Sequence, residues 1–508
     1  MLARISTAAL RGVDALSVWI EVSLTSGLPT FTVVGLAEGA VREGRERVVA
    51  ALRHTGIALP PRRITVSLAP ADVRKVGSAL DLPIAVGLLV GCGAVPGSAL
   101  AGWSFLGELG LDGSLRAVRG VLPLALECRR AGATCVVVPP ANAGEAAVVE
   151  GLTVLAPESL AELRDHLLGE RALSAVRLPA AALDFQSPIG VPDLSDVRGQ
   201  GVVKRALEVA AAGGHNVVLV GPPGSGKTML ARRMPGLMPP LSLSEALEVT
   251  RIHSVAGGLP AGEALVTRRP FRAPHHSVSD AGLVGGGSPP RPGEVSLAHR
   301  GVLFLDELPE FRRNVLELLR QPLEDGHVVL VRARGTLRFP ARLLLVAAMN
   351  PCPCGYEGSD RCTCDPGRIA RYRGRVSGPL LDRIDLHVPV RAVPVASLRE
   401  GGRLGEGSSD VRSRVVEARE RQRRRFSEGP VTCNAEMGHA ELRRYVPVPR
   451  PVAALLQHAL DRLGLSARAY HRILKVARTV ADLEGAAELA ESHAAEAIQY
   501  RDLDRSIG

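Results

Sequence analysis

One stretch of eight residues constrains the fold of this chain more than any other feature. It consists of Gly221, Pro222, Pro223, Gly224, Ser225, Gly226, Lys227 and Thr228, which match the phosphate-binding loop pattern G-x-x-x-x-G-K-[ST] in full. The apolar run before it, Val217–Val220, has the length of a buried parallel strand, and the residues after it begin a helix that Pro235 limits. Backbone N–H groups of such a loop, together with the helix N-terminus, attract phosphate. The sequence therefore predicts a nucleoside triphosphate site.

A second apolar run, residues 301–307, ends in the carboxylates of Asp306 and Glu307. We expect Lys227 to contact the β- and γ-phosphates, and Thr228 and Asp306 to hold Mg²⁺. Glu307 is then placed to polarise the attacking water. An apolar run ending in Asp-Glu is a weak motif alone, but downstream of a complete phosphate loop it strongly indicates nucleotide hydrolysis.

A third apolar run, residues 342–350, ends in Asn350, whose amide can position water against the γ-phosphate. Directly after it come four cysteines with the spacing C-x-C-x₇-C-x-C: Cys352, Cys354, Cys362 and Cys364. Four soft ligands this close in sequence suit a tetrahedral structural zinc ion. Reduced thiols without metal and a redox role remain open alternatives.

Residues 327–339 predict a β-hairpin with arginines around its tip, among them Arg332 and Arg334. The alternative is a purely structural hairpin whose arginines are solvated. The net charge of +10 favours an anionic partner, with nucleic acid first, although solvated arginines also explain it. Aromatic residues make up only 3%, which argues against extended base-stacking platforms.

The pattern of strands, helices and breaks predicts four parts: an α/β domain over 1–170, a linker over 171–190, a nucleotide-binding core over 191–392, and a mostly helical lid over 393–508. The core holds an insert at 256–300, for which we expect a basic surface, and the cysteine cluster at 352–364. Within the insert, His275 and His276 are expected to point to opposite sides of an extended chain and to serve a polar structural role.

Residues 82–106 carry no charge, but their prolines and glycines favour a buried helix, a loop and a strand over a membrane span. The first residues contain no long apolar segment typical of a secretory signal. Eight cysteines in a chain of this length do not indicate a secreted disulfide framework. We therefore expect a cytoplasmic protein with no membrane partner.

The first domain resembles the Lon-protease-like (S5 domain 2-like) fold of Lon and RadA, through residues 75–83 and 107–122. Lon uses a serine and a lysine, and the matching positions here are Ala79 and Leu122. Neither side chain can act as nucleophile or base. The resemblance thus implies a scaffold without peptidase activity, with an activity of Ser78 and Lys75 as the remaining alternative.

Nearly the whole chain resembles the ComM/YifB family of AAA+ ATPases, which is related to the magnesium-chelatase motor subunit and the MCM helicases. Besides the phosphate loop, the resemblance rests on residues 268–276, 304–307, 350–355, 377–385 and 466–472. It implies an α/β P-loop AAA+ core with a helical lid after the Lon-like domain. Family members form hexameric rings, and ComM is associated with DNA branch migration during natural transformation.

The resemblance also implies roles for individual residues. Asn350 is similar to sensor 1, Arg383 to an arginine finger that acts on ATP of the neighbouring subunit, and Arg468 to sensor 2. Such cations offset the charge that develops on the transferring phosphoryl group. The hairpin is placed like the presensor hairpin of MCM proteins, so Arg332 and Arg334 are expected to contact DNA phosphates without regard to sequence.

The combined expectation is a homo-hexameric motor that uses ATP and Mg²⁺ to translocate on DNA and remodel branched or single strands in recombination. One alternative is a chelatase-type motor subunit that drives metal insertion with partner subunits. An integrin-like metal-binding domain would favour it, and the sequence contains none. The other alternative, a Lon-like peptidase, is disfavoured by Ala79 and Leu122.

Overall fold

The computed structural model describes residues 2–36, 39–73, 75, 77–185, 190–260, 263–332, 335–392, 405–463 and 466–501. Some predictions fall wholly or partly outside this part of the chain: the DNA contact assigned to Arg334, residues 186–189 of the linker, residues 261–262 of the insert and residues 393–404 of the lid. The described residues form an N-terminal α/β domain, a parallel-sheet core and a group of C-terminal helices.

The N-terminal domain is built on one large sheet. Its strands are β1 (Leu2–Arg11), β2 (Asp14–Thr25), β3 (Thr30–Val34), β4 (Arg63–Ala69), β5 (Trp103–Phe105), β6 (Glu108–Leu109), β7 (Leu115–Arg116), β8 (Cys135–Val137) and β9 (Thr153–Leu155). Its helices are α1 (Gly39–His54), α2 (Asp81–Gly91), α3 (Val121–Arg130), α4 (Ala143–Ala147) and α5 (Leu160–Leu167). Seven strands lie in the order β3-β4-β2-β1-β5-β8-β9, while β6 and β7 pair separately.

The uncharged stretch at 82–106 folds as the sequence predicts. Every residue of α2 is buried, and a loop then leads into β5. Gly87 allows α2 to lie close to the sheet, since a Cβ there would come within 2.7 Å of Val22. The chain leaves the sheet after β5 because the backbone of Gly107 bonds to Ala79 and Leu82, which separates β6 from β5. Among the described helices, none is both long and apolar enough to cross a membrane.

The positions that match the Lon dyad lie in apolar packing. Leu122 is fully buried, and Ala79 packs against the same apolar cluster. The ammonium group of Lys75 donates to the carbonyl oxygens of Gly35, at 3.3 Å, and Pro70. These contacts direct Lys75 to the backbone, and they give no support to a dyad with Ser78.

The nucleotide-binding core has a five-stranded parallel sheet at its centre. The strands of the core, including those outside this sheet, are β10 (Val217–Val220), β11 (Phe271–Arg272), β12 (Gly285–Gly286), β13 (Arg291–Pro292), β14 (Val302–Leu305), β15 (His327–Arg332), β16 (Gly335–Pro340), β17 (Leu344–Met349) and β18 (Leu386–Pro389). Its helices are α6 (Gly201–Gly213), α7 (Lys227–Ala231), α8 (Met234–Leu237), α9 (Leu243–Ala256), α10 (Asp280–Val284), α11 (Glu294–Leu297), α12 (Arg313–Glu317), α13 (Arg320–Asp325), α14 (Pro366–Arg373) and α15 (Gly378–Leu381). The central sheet has the order β11-β14-β17-β10-β18.

Part of the expected insert belongs to this core, because β11 forms the edge strand beside β14. The prediction of a basic surface on this insert is wrong for two of its arginines, because both are paired with glutamates. The side chain of Arg269 is only 10% exposed and forms an ion pair with Glu245 at 3.3 Å. Arg272 forms a two-point ion pair with Glu294 at 2.6 and 2.7 Å. These contacts neutralise charges that the sequence alone leaves exposed.

The C-terminal helices pack against the core through α6. They are α16 (Ser408–Arg425), α17 (His439–Tyr445), α18 (Arg450–Leu463), α19 (Ala467–Glu484) and α20 (Glu491–Gln499). One apolar cluster runs from the central sheet through α6 into α16 and α19. A buried polar contact joins them as well: the carboxylate of Asp385 pairs with Arg472 of α19 and lies 3.1 Å from the ring of His215. The helical region is therefore fixed to the core at the start of β18.

The N-terminal domain also contacts the core directly. Val13, in the turn between β1 and β2, is buried in an apolar cluster of the core. Beside it, Asp14 pairs with Arg251 of α9. On the same helix, Ser254 donates from its hydroxyl to Glu145 and accepts from the backbone of Gly120 through its carbonyl. The two domains thus meet along α9.

Candidate nucleotide-binding and catalytic site

The phosphate loop connects β10 to α7, as the sequence predicts. Gly224 and Gly226 have φ angles of +75° and +90°, which a glycine adopts without strain. The ammonium group of Lys227 donates across the loop to the carbonyl oxygens of Gly221, at 2.6 Å, and Pro222, at 2.9 Å. Burial lowers the pKa of Lys227, while the carboxylates of Asp306 and Glu307 act against that shift.

One polar atom of this loop supports a phosphate ligand directly. The hydroxyl of Ser225 is buried and has no hydrogen-bond partner among the described residues. Buried hydroxyls are normally hydrogen-bonded. A phosphate oxygen in the loop would give this hydroxyl an acceptor, so the loop fits the group that its sequence pattern predicts.

Thr228 and Asp306 form the expected magnesium pair. The hydroxyl of Thr228 donates to Oδ2 of Asp306 at 2.6 Å, and Oδ1 of Asp306 accepts from the backbone N–H of Glu307 at 2.9 Å. A hydroxyl and a carboxylate beside a phosphate loop are the oxygen ligands that Mg²⁺ uses in P-loop sites. These two side chains would hold the ion next to the β- and γ-phosphates.

Asn350 links the two halves of the site. It follows β17, which lies between β10 and β14 in the sheet, so the ends of three neighbouring strands meet at one edge. Its side-chain oxygen accepts from the ammonium group of Lys227 at 3.1 Å. The structure therefore brings Asn350 together with the phosphate-loop lysine, and its role as sensor 1 stays a prediction.

Glu307 has a neighbour that sequence reasoning missed. Nδ1 of His276 lies 3.7 Å from a carboxylate oxygen of Glu307. The expectation that His275 and His276 point apart is wrong, because the chain turns here: the backbone of Val278 bonds to that of His275, and the two rings lie 4.0 Å apart. His276 follows β11 by four residues, and β11 runs parallel to β14, which precedes Glu307. This position relative to the two strands is the signal from which the contact could have been predicted.

Arg383 lies apart from the phosphate loop of its own subunit. It is 8% exposed, and it donates to Glu324 of α13 and to the carbonyl oxygen of Pro379, each at 2.5 Å. Arg468 is exposed in the first turn of α19, which Ser466 caps. The roles of arginine finger and sensor 2 stay predictions for these two arginines.

The four clustered cysteines converge on one point. Their sulfur atoms all lie within 4.8 Å of one another. The cluster begins two residues after Asn350, and Gly355 within it packs against Pro223 of the phosphate loop. Four thiols in this arrangement can hold a soft metal ion.

The predicted hairpin is present as β15 and β16, which pair from His327 with Pro340 to Arg332 with Gly335. Val328 and Phe339 are buried in the core and anchor its base. At the other end Arg332 is exposed. The hairpin therefore carries an exposed cation at the end opposite its buried base.

The fold and the site define a P-loop AAA+ ATPase. Three family models match the chain, described as "Magnesium chelatase, subunit ChlI" over residues 193–398, "Subunit ChlI of Mg-chelatase" over 20–142 and "Magnesium chelatase, subunit ChlI C-terminal" over 405–501. The protein named YifB of Salmonella typhimurium is 44% identical over 100% of this chain and 98% of its own length. The competence protein ComM of Haemophilus influenzae is 44% identical with the same coverage. The chain belongs to the ComM/YifB family of magnesium-chelatase-like AAA+ proteins.

A magnesium-chelatase subunit is similar to this chain at lower identity. The magnesium-chelatase 38 kDa subunit of Rhodobacter capsulatus is 26% identical over 59% of this chain and 83% of its own length. The predicted family and fold are confirmed. The magnesium-chelatase-like AAA+ class implies ATP and Mg²⁺ as cofactors, and the geometry of Lys227, Thr228 and Asp306 suits both.

Proposed function

We propose that this protein is an ATP-driven motor that acts on DNA as a ring of identical subunits and moves branched or recombining strands. The observation that carries the proposal is the hairpin of β15 and β16, which holds the exposed side chain of Arg332 on a base anchored in the ATPase core. The relative named competence protein ComM supports a role in natural transformation.

Hydrolysis would use the residues that meet at the sheet edge. Mg²⁺, when bound, neutralises phosphate charge. Lys227 contacts the phosphates, and Thr228 and Asp306 hold the ion. Glu307 accepts a proton from the attacking water, and Asn350 orients that water. The contacts of Lys227 with Asn350 and of Thr228 with Asp306 support this assignment because they bring these groups together at one edge of the sheet.

The proposed ring rests on Arg383, whose described contacts are with Glu324 and the carbonyl oxygen of Pro379. Arg383 would complete the site of the neighbouring subunit after leaving Glu324, and Arg468 would contact the γ-phosphate from α19. Hydrolysis would then require assembly, and we propose six subunits.

The hairpin would contact DNA through its phosphates. An exposed arginine near a turn makes a charge-assisted contact that does not depend on base sequence. The net charge of +10 supports an anionic partner. Each hydrolysis cycle would move the hairpin through its buried anchors, Val328 and Phe339, which pack in the same apolar cluster as β14 and β17.

A second candidate is a chelatase-type motor that drives metal insertion with partner subunits. The three family models and the relative of Rhodobacter capsulatus favour it by their names. The two candidates differ in their response to DNA, since hydrolysis by a chelatase motor has no reason to depend on a nucleic acid.

Steady-state ATP hydrolysis separates the candidates when it is measured without DNA and with single-stranded, duplex and four-way-junction DNA. We expect DNA to stimulate the wild type, and Arg332→Ala to lose the stimulation while it keeps basal hydrolysis. Arg423→Ala is the matched control, because this arginine is 76% exposed on α16 and carries the same charge. Hydrolysis that is indifferent to every DNA, with no DNA binding at low salt, would favour the chelatase-type motor.

A further inference from the structure

The segment that holds the cysteine cluster has little apolar surface to fold upon. Between residues 352 and 365, only Cys352 and Gly355 are buried, and the residues around them are half-buried or exposed. Short loops of this kind are usually held by something other than a core, such as a metal ion. The four sulfur atoms nevertheless converge within 4.8 Å of one another.

The sulfur spacing matches a tetrahedral metal site. With zinc–sulfur bonds of about 2.3 Å, tetrahedral geometry places the sulfur atoms about 3.8 Å apart. Here Cys352 lies 3.3 Å from Cys354 and 3.9 Å from Cys362, and Cys354 lies 3.7 Å from Cys362. A disulfide would need about 2.05 Å between two sulfur atoms and would leave the other two without a reason to converge.

This loop also touches the nucleotide site at two points. Asn350, which contacts Lys227, precedes the first cysteine by two residues. Gly355 has a φ angle of +85° and lies so close to the phosphate loop that a Cβ at this position would stand 2.4 Å from Cδ of Pro223. On the other flank, Arg373 of α14 donates to the carbonyl oxygen of Pro351 at 3.1 Å and pairs with Glu357. The loop is thus fixed between α14 and the phosphate loop.

We propose that Cys352, Cys354, Cys362 and Cys364 bind one zinc ion, and that the zinc-bound loop braces the phosphate loop in the shape that binds ATP. The zinc ion is structural, because all four of its positions are filled by thiolates and none is left for water or substrate. The inference rests on the nucleotide site and does not depend on DNA as the partner of the motor.

The metal content of the purified full-length protein tests the first half. Mass spectrometry of the metal in the wild type should give one zinc ion per chain. The double variant Cys362→Ser/Cys364→Ser should lose it. Cys92→Ser is the matched control, since Cys92 lies half-buried in the N-terminal domain and should leave the zinc in place. A wild type without metal, whose four clustered thiols all react with a thiol reagent, would overturn the zinc site.

The affinity for a fluorescent ATP analogue tests the second half. Removal of zinc from the wild type with a thiol-reactive mercurial, followed by a reducing agent and chelator, should weaken nucleotide binding about tenfold, and added zinc should restore it. Gly355→Ala should keep its zinc and still bind nucleotide more weakly, because its methyl group displaces Pro223. Nucleotide binding that is unchanged in both samples would overturn the brace. Neither readout involves DNA, so failure of the DNA motor would leave these results unaffected.

Discussion

The ammonium group of Lys227 is the point at which the separate parts of the nucleotide site meet. It contacts the carbonyl oxygens of the phosphate loop on one side and the amide of Asn350 on the other. Beside it, Thr228 and Asp306 share a hydrogen bond of 2.6 Å. At the scale of single residues, these four side chains therefore surround the place that the phosphates would occupy.

Glu307 gives the first prediction at this scale. Replacing it with glutamine removes the base that accepts the proton from water, and positioned bases contribute about 10²- to 10⁴-fold. We expect Glu307→Gln to lower kcat for ATP hydrolysis by about 10²-fold or more. Binding of the fluorescent ATP analogue should be retained, because Lys227 and Thr228 are unchanged. A variant that hydrolyses ATP at the wild-type rate would contradict the assignment of Glu307.

His276 gives the second prediction. Its ring lies 3.7 Å from the carboxylate of Glu307 and can hold that carboxylate in position. We expect His276→Ala to lower kcat about tenfold with little change in KM, and His276→Asn, which keeps a donor, to recover part of the loss. His275→Ala is the matched control, because the ring of His275 bonds to Ser277 instead. A loss in KM alone, or equal losses in both alanine variants, would contradict this positioning role.

At the scale of elements, α9 joins the N-terminal domain to the nucleotide-binding core. Its residue Glu248 accepts from His299 at 3.1 Å and from Arg300 at 2.9 Å, just before β14. The hydrogen bond from His299 lowers the pKa of Glu248 to about 2, with a further contribution from Arg300 and an opposing one from burial. The contacts of Glu248 with His299 and Arg300 therefore stabilise α9 only while the Glu248 carboxylate is ionised.

A carboxylate with a lowered pKa stabilises the fold above its unfolded pKa of about 4.3, and the contribution is lost as pH falls towards the folded value. Because Glu248 is 42% exposed, we expect about 1 kcal/mol at most, or about 2–4 °C in Tm. Thermal melts of Glu248→Gln should lie below the wild type at pH 7, and the gap should shrink as pH falls below about 5. A gap that grows on acidification would contradict the assignment, and the exposed Glu417→Gln serves as control.

The sequence predicted the elements whose patterns are local. The phosphate loop, the hairpin within 327–339 and the buried helix within 82–106 all depend on residues a few positions apart, and the structure has them there. Contacts between distant segments could not be predicted in this way. The ion pair of Arg272 with Glu294 and the approach of His276 to Glu307 arise only when β11 packs beside β14.

At the scale of the whole molecule, the proposed ring rests on the expectation that Arg383 acts on the ATP of a neighbouring subunit. We expect the protein with Mg²⁺ and a non-hydrolysable ATP analogue to have six times the monomer mass of 53.5 kDa in light scattering. Lys227→Ala and Arg383→Ala should each be inactive alone. Their mixture should regain hydrolysis, because the intact phosphate loop of one variant receives Arg383 from the other. A mixture as inactive as its components would contradict action between subunits.

The N-terminal domain has a structural part in this arrangement. Its turn between β1 and β2 buries Val13 in the core, and Gly12 lies against Leu337 of the hairpin. The N-terminal domain thus supports the element proposed to contact DNA. This contact joins residues more than three hundred positions apart in sequence, so no pattern in the chain indicated it.

The central claim, that ATP hydrolysis drives movement of DNA strands, is tested most directly with a synthetic four-way junction labelled on one strand. The wild type with ATP and Mg²⁺ should convert the junction to duplex products, Glu307→Gln should bind the junction without converting it, and Arg332→Ala should convert it more slowly. A junction that stays intact while the wild type hydrolyses ATP in the same tube would contradict the account.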